Sequence, residues 1–251
     1  RLKGLFNIGA GVDALMQLRL PTGVPVVRLD DAGMSVQMAE YVCHAVIRYF
    51  RELDVYAEEA QQAHWAFRRP RIRADFTVGV MGLGVLGQRV AQALRGFEFP
   101  VVGWSRTPRQ VEGITCHAGA EGLSAFLGAS QVLVNLLPLT PDTENILNRD
   151  TLAQLRPGAY VINVARGAHL VDADLLALLD SGHLAGATLD VFRTEPLPAE
   201  HPFWQHRRIT VTPHTSARTL RDESVAQIAG KIRALERGEP ITGVVDPLRG
   251  Y

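Results

Sequence analysis

Short apolar runs and amphipathic stripes alternate along most of this chain. Thr77–Met81 is an apolar run bounded by turn residues, the pattern of a strand buried on both faces. Similar runs recur at Val101–Trp104, Ile114–His117, Val132–Leu137, Tyr160–Val164, Ala187–Val191 and Ile209–Thr212. Between them lie segments of helical composition: Gln88–Arg95, a stretch through Leu123–Leu127, Thr151–Leu155 and Asp172–Leu179. A closing helix follows over Leu220–Glu236, stopped by Gly238. Upstream, Leu5–Ile8 and Val24–Arg28 read as short strands around a helix over Val12–Leu20. Ser35 then caps a long helix from Val36 to about Trp65. Met38, Val42, Val46, Tyr49, Leu53 and Ala57 form its apolar stripe, which fits the core of this chain and the face of a second subunit equally well. Strand alternating with helix predicts an α/β fold, a parallel sheet covered on both faces. Ligands of such sheets bind beyond the carboxyl ends of the strands.

Composition narrows the class. With 251 residues there is room for one large domain or two smaller ones. Lys and Arg total 26 and so do Asp and Glu, so the charge balance points to neither nucleic acid nor an anionic membrane as a partner. No apolar run reaches the ~18 residues of a membrane span. Cys43 and Cys116 make neither a disulfide framework nor a metal site, and a reducing cytoplasm is the simplest setting. Four arginines in Arg68–Arg73 read as a solvated connector rather than a phosphate site. The chain opens without Met in a strand already under way, so further residues are expected upstream of Arg1.

The first strand of the alternating region runs into Gly82-Leu83-Gly84-Val85-Leu86-Gly87, a G-x-G-x-x-G turn with a helix behind it. Gly82 permits the tight turn, Gly84 lets backbone approach a pyrophosphate, and Gly87 lets helix and strand lie close. The N–H groups and dipole of the helix N-terminus attract phosphate. The strand–turn–helix context makes this a dinucleotide site. The second strand ends Gly103-Trp104-Ser105-Arg106-Thr107, where an acid would bind the ribose hydroxyl of NAD. Here a guanidinium and two hydroxyls stand instead, with Arg109 close by. That combination accepts a 2′-phosphate and favours NADPH, with NADH still usable.

Three later segments place chemistry just past strand ends: Asn163-Val164-Ala165-Arg166-Gly167, Asp190 with Glu195-Pro196, and Pro213-His214. An arginine can grip a carboxylate and polarise an adjacent carbonyl. A histidine can deliver a proton to the carbonyl oxygen as hydride reaches carbon. A neighbouring carboxylate favours the imidazolium and fixes its orientation. Singly each is weak; together, on the ligand edge of a dinucleotide fold, they point to carbonyl reduction.

In this order the motifs resemble the D-isomer-specific 2-hydroxyacid dehydrogenases. Asn7–Asp13, Leu137–Pro141 and the terminal Arg249-Gly250-Tyr251 are similar, more narrowly, to the glyoxylate/hydroxypyruvate reductase A type. The resemblance implies reduction of small 2-oxo acids to 2-hydroxy acids. Arg166 would bind and polarise substrate, His214 would donate the proton, and Glu195 would be its partner. It adds Ala10 and Gly11 as substrate-binding backbone, and Leu137, Pro138, Ala165, Asp190 and His214 as cofactor neighbours. It also implies a Rossmann-type doubly wound sheet with a smaller, flavodoxin-like substrate domain, here N-terminally incomplete. Residues 1–33 and 218–251 would form the substrate domain and 34–217 the cofactor domain, with hinges near Gly33 and Ala217. A homodimer built on the long helix completes the expectation. The rival reading is an inactive dinucleotide-sensing module on the same fold.

Overall fold

The computed structural model describes residues 2–9 and 11–246. Among them, seven strands form one parallel sheet: β3 (Val78–Met81), β4 (Val101–Ser105), β5 (Thr115–Ala118), β6 (Val132–Asn135), β7 (Ala159–Asn163), β8 (Leu184–Leu189) and β9 (Ile209–Val211). Their order across the sheet is β5-β4-β3-β6-β7-β8-β9. The chain therefore winds outward from β3 to β5 and then crosses back to lay β6 on the other side of β3. The switch point between β3 and β6 is where such sheets open a crevice for ligand. β3, β6 and β7 are buried along their whole length, which accounts for runs of Val, Ile and Leu without alternation.

Two apolar cores flank the sheet. On one face α2 (Met34–Phe50) and α4 (Val85–Gly96) bury Met38, Val42, Val46, Val90 and Leu94 against Val78, Val80, Val132 and Ile162. On the other, α5 (Gly119–Ala129), α6 (Arg149–Leu152) and α7 (Asp172–Asp180) bury Phe126, Leu127, Leu152, Leu175 and Leu179 against Leu133, Val161 and Ala187.

A second, smaller unit brings the beginning and end of the chain together. β1 (Leu5–Phe6) pairs in parallel with β2 (Val26–Val27), and Val27 bridges to Val244. The four-residue α1 (Asp13–Met16) lies between those strands. α8 (Arg221–Glu236) is fastened to this unit by the buried Lys231, whose Nζ lies 3.0 Å from Asp30 Oδ2 and donates to the carbonyls of Arg28 and Thr242. The fold is thus a Rossmann-type sheet plus a second domain.

Several expectations need correction. The long helix is two: α2 ends at its cap Arg51, Glu52 turns left-handed (φ 53°), and α3 (Leu53–Gln61) starts as a separate helix. The Glu52 carboxylate lies 2.9 Å from Arg68 and 3.6 Å from Arg71, so an ion-pair cluster sits at the break. Leu53 and Ala57 consequently leave the stripe and lie exposed, while Met38, Val42, Val46 and Tyr49 are core. The helix cap is Gly33, not Ser35. Ser35 lies in the first turn, where its N–H and hydroxyl both donate to the Asp31 carboxylate. The arginine connector is anchored rather than free in solvent. Arg71 lies over the Tyr49 ring at 4.1 Å, and Arg73 over Phe99 at 4.5 Å. The strands and helix of the smaller unit are shorter than the apolar pattern implied.

Candidate active site

The glycine turn is built as its spacing requires. Gly82 adopts φ 108°, and a Cβ there would meet the Leu136 carbonyl carbon at 2.8 Å and the Leu137 nitrogen at 3.1 Å. The loops after β3 and β6 therefore touch at the switch point, bringing Leu137 and Pro138 beside the turn. Gly87 packs so closely that a Cβ would fall 1.8 Å from the Gly82 oxygen. Gly84 is different. It begins α4, is exposed, and a Cβ there would meet no protein atom within 4 Å. A backbone cradle with an open face at a helix N-terminus fits a pyrophosphate. Leu83 is buried under the turn, Leu86 is partly buried on α4, and Val85 is exposed at its start. At the end of β4, Ser105 is buried and its hydroxyl donates to the Thr107 carbonyl at 2.8 Å, folding the loop that exposes Arg106 and Thr107.

The three chemical segments leave the same sheet edge. In register, Asn163 of β7 lies opposite Leu189 of β8, and Leu189 opposite Val211 of β9. Adjacent strands are ~4.8 Å apart, so the tips of β7 and β9 are separated by roughly 10 Å. Arg166, Asp190 and His214 begin one to three residues beyond those tips. A Cβ on Gly167 would clash with the Phe192 carbonyl carbon at 1.8 Å, so the loops carrying Arg166 and Glu195 are in contact.

His214 Nδ1 lies 2.8 Å from Glu195 Oε2, and Glu195 Oε1 accepts the Phe192 N–H at 2.9 Å. A carboxylate can only accept, so Nδ1 carries hydrogen and Nε2 remains for other work. His214 sits in a left-handed turn (φ 52°) whose N–H donates to the Asp190 carbonyl. Asp190 is fully buried, and its carboxylate accepts from the Thr212 hydroxyl and from the N–H groups of Thr215 and Ser216. Its visible work is to hold the turn that presents His214. The Arg166 guanidinium reaches across to Asp13, with Nη2 at 3.0 Å from Oδ1, and abuts Gly11, where a Cβ would lie 1.6 Å from Nη2. Burial alone would raise the Asp13 pKa, but the Arg166 hydrogen bond and charge outweigh it and hold the carboxyl below its ordinary value. Ala10 and Arg249-Gly250-Tyr251 lie outside the described residues.

The profile of the family "D-isomer specific 2-hydroxyacid dehydrogenase, NAD binding domain" matches residues 43–216. The chain belongs to this family. It is 53% identical over 257 aligned residues to a glyoxylate/hydroxypyruvate reductase A from Serratia proteamaculans, covering all of this chain and 82% of that protein. A D-isomer specific 2-hydroxyacid dehydrogenase from Xanthobacter autotrophicus Py2, solved with NADPH and MES, superposes with a TM-score of 0.96 at 45% identity. The match covers all of this chain and 79% of that one. The NADPH-dependent glyoxylate/hydroxypyruvate reductase of Sinorhizobium meliloti, solved with NADP and sulfate, gives 0.95 at 41% identity over all of this chain and 80% of that one.

The site edge also contains residues that the sequence pattern did not mark. Asn135 Nδ2 donates to Asn163 Oδ1 at 3.0 Å and meets His169 Nδ1 at 2.9 Å, while His169 Nε2 faces the Pro138 carbonyl at 3.3 Å. All three side chains belong to fully buried residues. The Asn163 amide also donates to the Arg166 carbonyl, as does the His169 backbone N–H. The network ties the tips of β6 and β7 to the backbone of Arg166. Nothing in the spacing of eight histidines marks His169 as the buried one. The tyrosine Tyr41 of α2 reaches the Thr212 hydroxyl at 2.5 Å and so joins the Asp190 cluster. Among the described residues no group of His, Cys, Asp and Glu is arranged to hold a metal ion, and no helix is long and apolar enough to cross a membrane.

Proposed function

We propose that this chain reduces small 2-oxo acids, with glyoxylate and hydroxypyruvate as leading substrates, to 2-hydroxy acids, preferring NADPH as hydride source. The observation that carries this reading is the common edge from which Arg166, Glu195 and His214 project, next to the open face at Gly84. Relatives whose names specify NADPH and glyoxylate or hydroxypyruvate support the choice of cofactor and substrate.

Leu83, Val85, Leu86 and the three glycines of the turn would hold the cofactor's pyrophosphate. Ser105, Arg106 and Thr107 would receive the 2′-phosphate, and Leu137, Pro138, Ala165, Asp190 and His214 would border the remainder. When bound, the reduced nicotinamide supplies hydride to the carbonyl carbon. Arg166, with Gly11 and Ala10, binds the substrate carboxylate and draws charge onto the carbonyl oxygen. His214 delivers a proton to that oxygen from Nε2, while Glu195 holds the ring at Nδ1. Hinges at Gly33 and Ala217 between units of 1–33 with 218–251 and 34–217 would let the cleft close over substrate. Two contacts support them: Leu220 N–H donates to the Ala32 carbonyl, and a Cβ on Gly33 would meet Leu220 Cδ1 at 2.6 Å. The two crossings therefore lie side by side. A cytoplasmic homodimer completes the reading. Steady-state NADPH oxidation in the presence of glyoxylate is the test. Turnover is expected, and tight NADPH binding without oxidation would favour a sensing module instead.

A further inference from the structure

The contact between Arg166 and Asp13 is the part of the site that the reaction leaves unexplained. A guanidinium has five N–H groups arranged in fixed directions. Nε lies 3.1 and 3.2 Å from the two Asp13 carboxylate oxygens, and Nη2 lies 3.0 Å from Oδ1. The lateral edge of the guanidinium therefore faces Asp13, with the Nε–H shared between both oxygens and Nη2 at ion-pair distance. Nη1 donates at 2.7 Å to the Ala165 carbonyl, in the residue immediately before Arg166. The outer ends of Nη1 and Nη2 make up the terminal fork of the group, on the side away from Asp13. Nη2 is also the atom against which Gly11 packs.

Asp13 is well placed to impose this orientation. It is the first residue of α1, at the end of a loop braced by Asn7, whose amide donates to the carbonyls of Gly9 and Gly11 at 2.9 and 2.7 Å. It lies in the smaller unit, whereas Arg166 follows β7 of the main sheet. An unheld arginine has four rotatable bonds and could offer either fork or swing away, losing the alignment that polarising a carbonyl requires.

We propose that Asp13 is a positioning residue for the reduction: by occupying the lateral edge of Arg166 across the two units, it leaves only the terminal fork to grip the 2-oxo acid. This rests on Arg166 being the substrate-binding residue.

The experiment is a double-mutant cycle read by NADPH oxidation with glyoxylate, with Tm and the KM for NADPH measured alongside. Asp13→Ala is expected to lower kcat/KM for glyoxylate about 10²-fold, the scale of a small misplacement at a reacting centre. Asp13→Asn, which keeps one acceptor oxygen, loses less. Neither variant changes Tm or the KM for NADPH. In an Arg166→Ala background, Asp13→Ala costs nothing further, because there is no guanidinium left to orient. Losses that multiply in the double variant would overturn the proposal, as would a fall in Tm that parallels the loss of activity. A lower KM for glyoxylate in Asp13→Asn with kcat intact would also overturn it, since Asp13 would then be competing with substrate for the arginine. If Arg166→Ala alone retains normal turnover, it is the substrate-binding reading of Arg166 that fails.

Discussion

His169 shows how a single buried side chain ties stability to the site. Burial, with help from the Arg166 charge, pushes its imidazole from the ordinary 6.5 down to about 4, against the upward pull of the Pro138 carbonyl. Between those values the unfolded chain binds a proton that the folded protein does not. His169 therefore costs no stability above pH 6.5, and stability falls as the pH drops from 6.5 towards 4. The difference corresponds to roughly 3 kcal/mol. Thermal melts should show wild type losing Tm across this window more steeply than His169→Gln, and parallel curves would contradict the assignment. None of this was legible in the sequence, because burial of one histidine among eight depends on which loops meet over it. The positions of Arg166, Glu195 and His214 beyond strand ends were legible, because each follows an apolar run at a sheet edge. Asp13 was visible only as part of a motif, since its partner lies 153 positions away.

At the scale of elements, periodicity located almost every strand and helix of the main sheet, while the ends followed local chemistry. The split between α2 and α3 escaped detection because an apolar stripe continues formally through Leu53 and Ala57. The left-handed residue that interrupts it is Glu52, stabilised by arginines from a later segment. The turn into α4 offers a sharper test, since its glycines differ in what a methyl group would meet. Gly87→Ala would drive a Cβ into the Gly82 carbonyl oxygen, and overpacking of this kind costs about 1–3 kcal/mol. Gly84→Ala has φ −74° and no protein neighbour within 4 Å, so it should fold with an unchanged Tm. Its methyl would instead occupy the space proposed for pyrophosphate, and NADPH affinity measured by fluorescence should fall at least tenfold. Unchanged affinity in Gly84→Ala would remove the cradle from the cofactor site.

For the molecule as a whole, the alternating pattern foretold a parallel sheet covered on both faces, and its double winding and the return of α8 to the first strands followed from the resemblance rather than from any local signal. The segment after α3 leaves Trp65, Phe67 and Ile72 exposed, at 99%, 88% and 63% respectively. Large apolar side chains exposed so close together favour an interface, and the proposed homodimer would cover them. Light scattering should give twice the chain mass for wild type, with Trp65→Ser/Phe67→Ser shifted towards monomer; a monomeric wild type would contradict the dimer. The central claim is that a guanidinium after β7 and an imidazole after β9 act on one substrate. Its most direct measurement is kcat/KM for glyoxylate in Arg166→Ala and His214→Ala, with NADPH affinity measured in parallel. Each variant should lose ~10²–10⁴-fold, the range for a positioned acid or binding group, while still binding NADPH. Near-normal turnover in either variant would contradict the account.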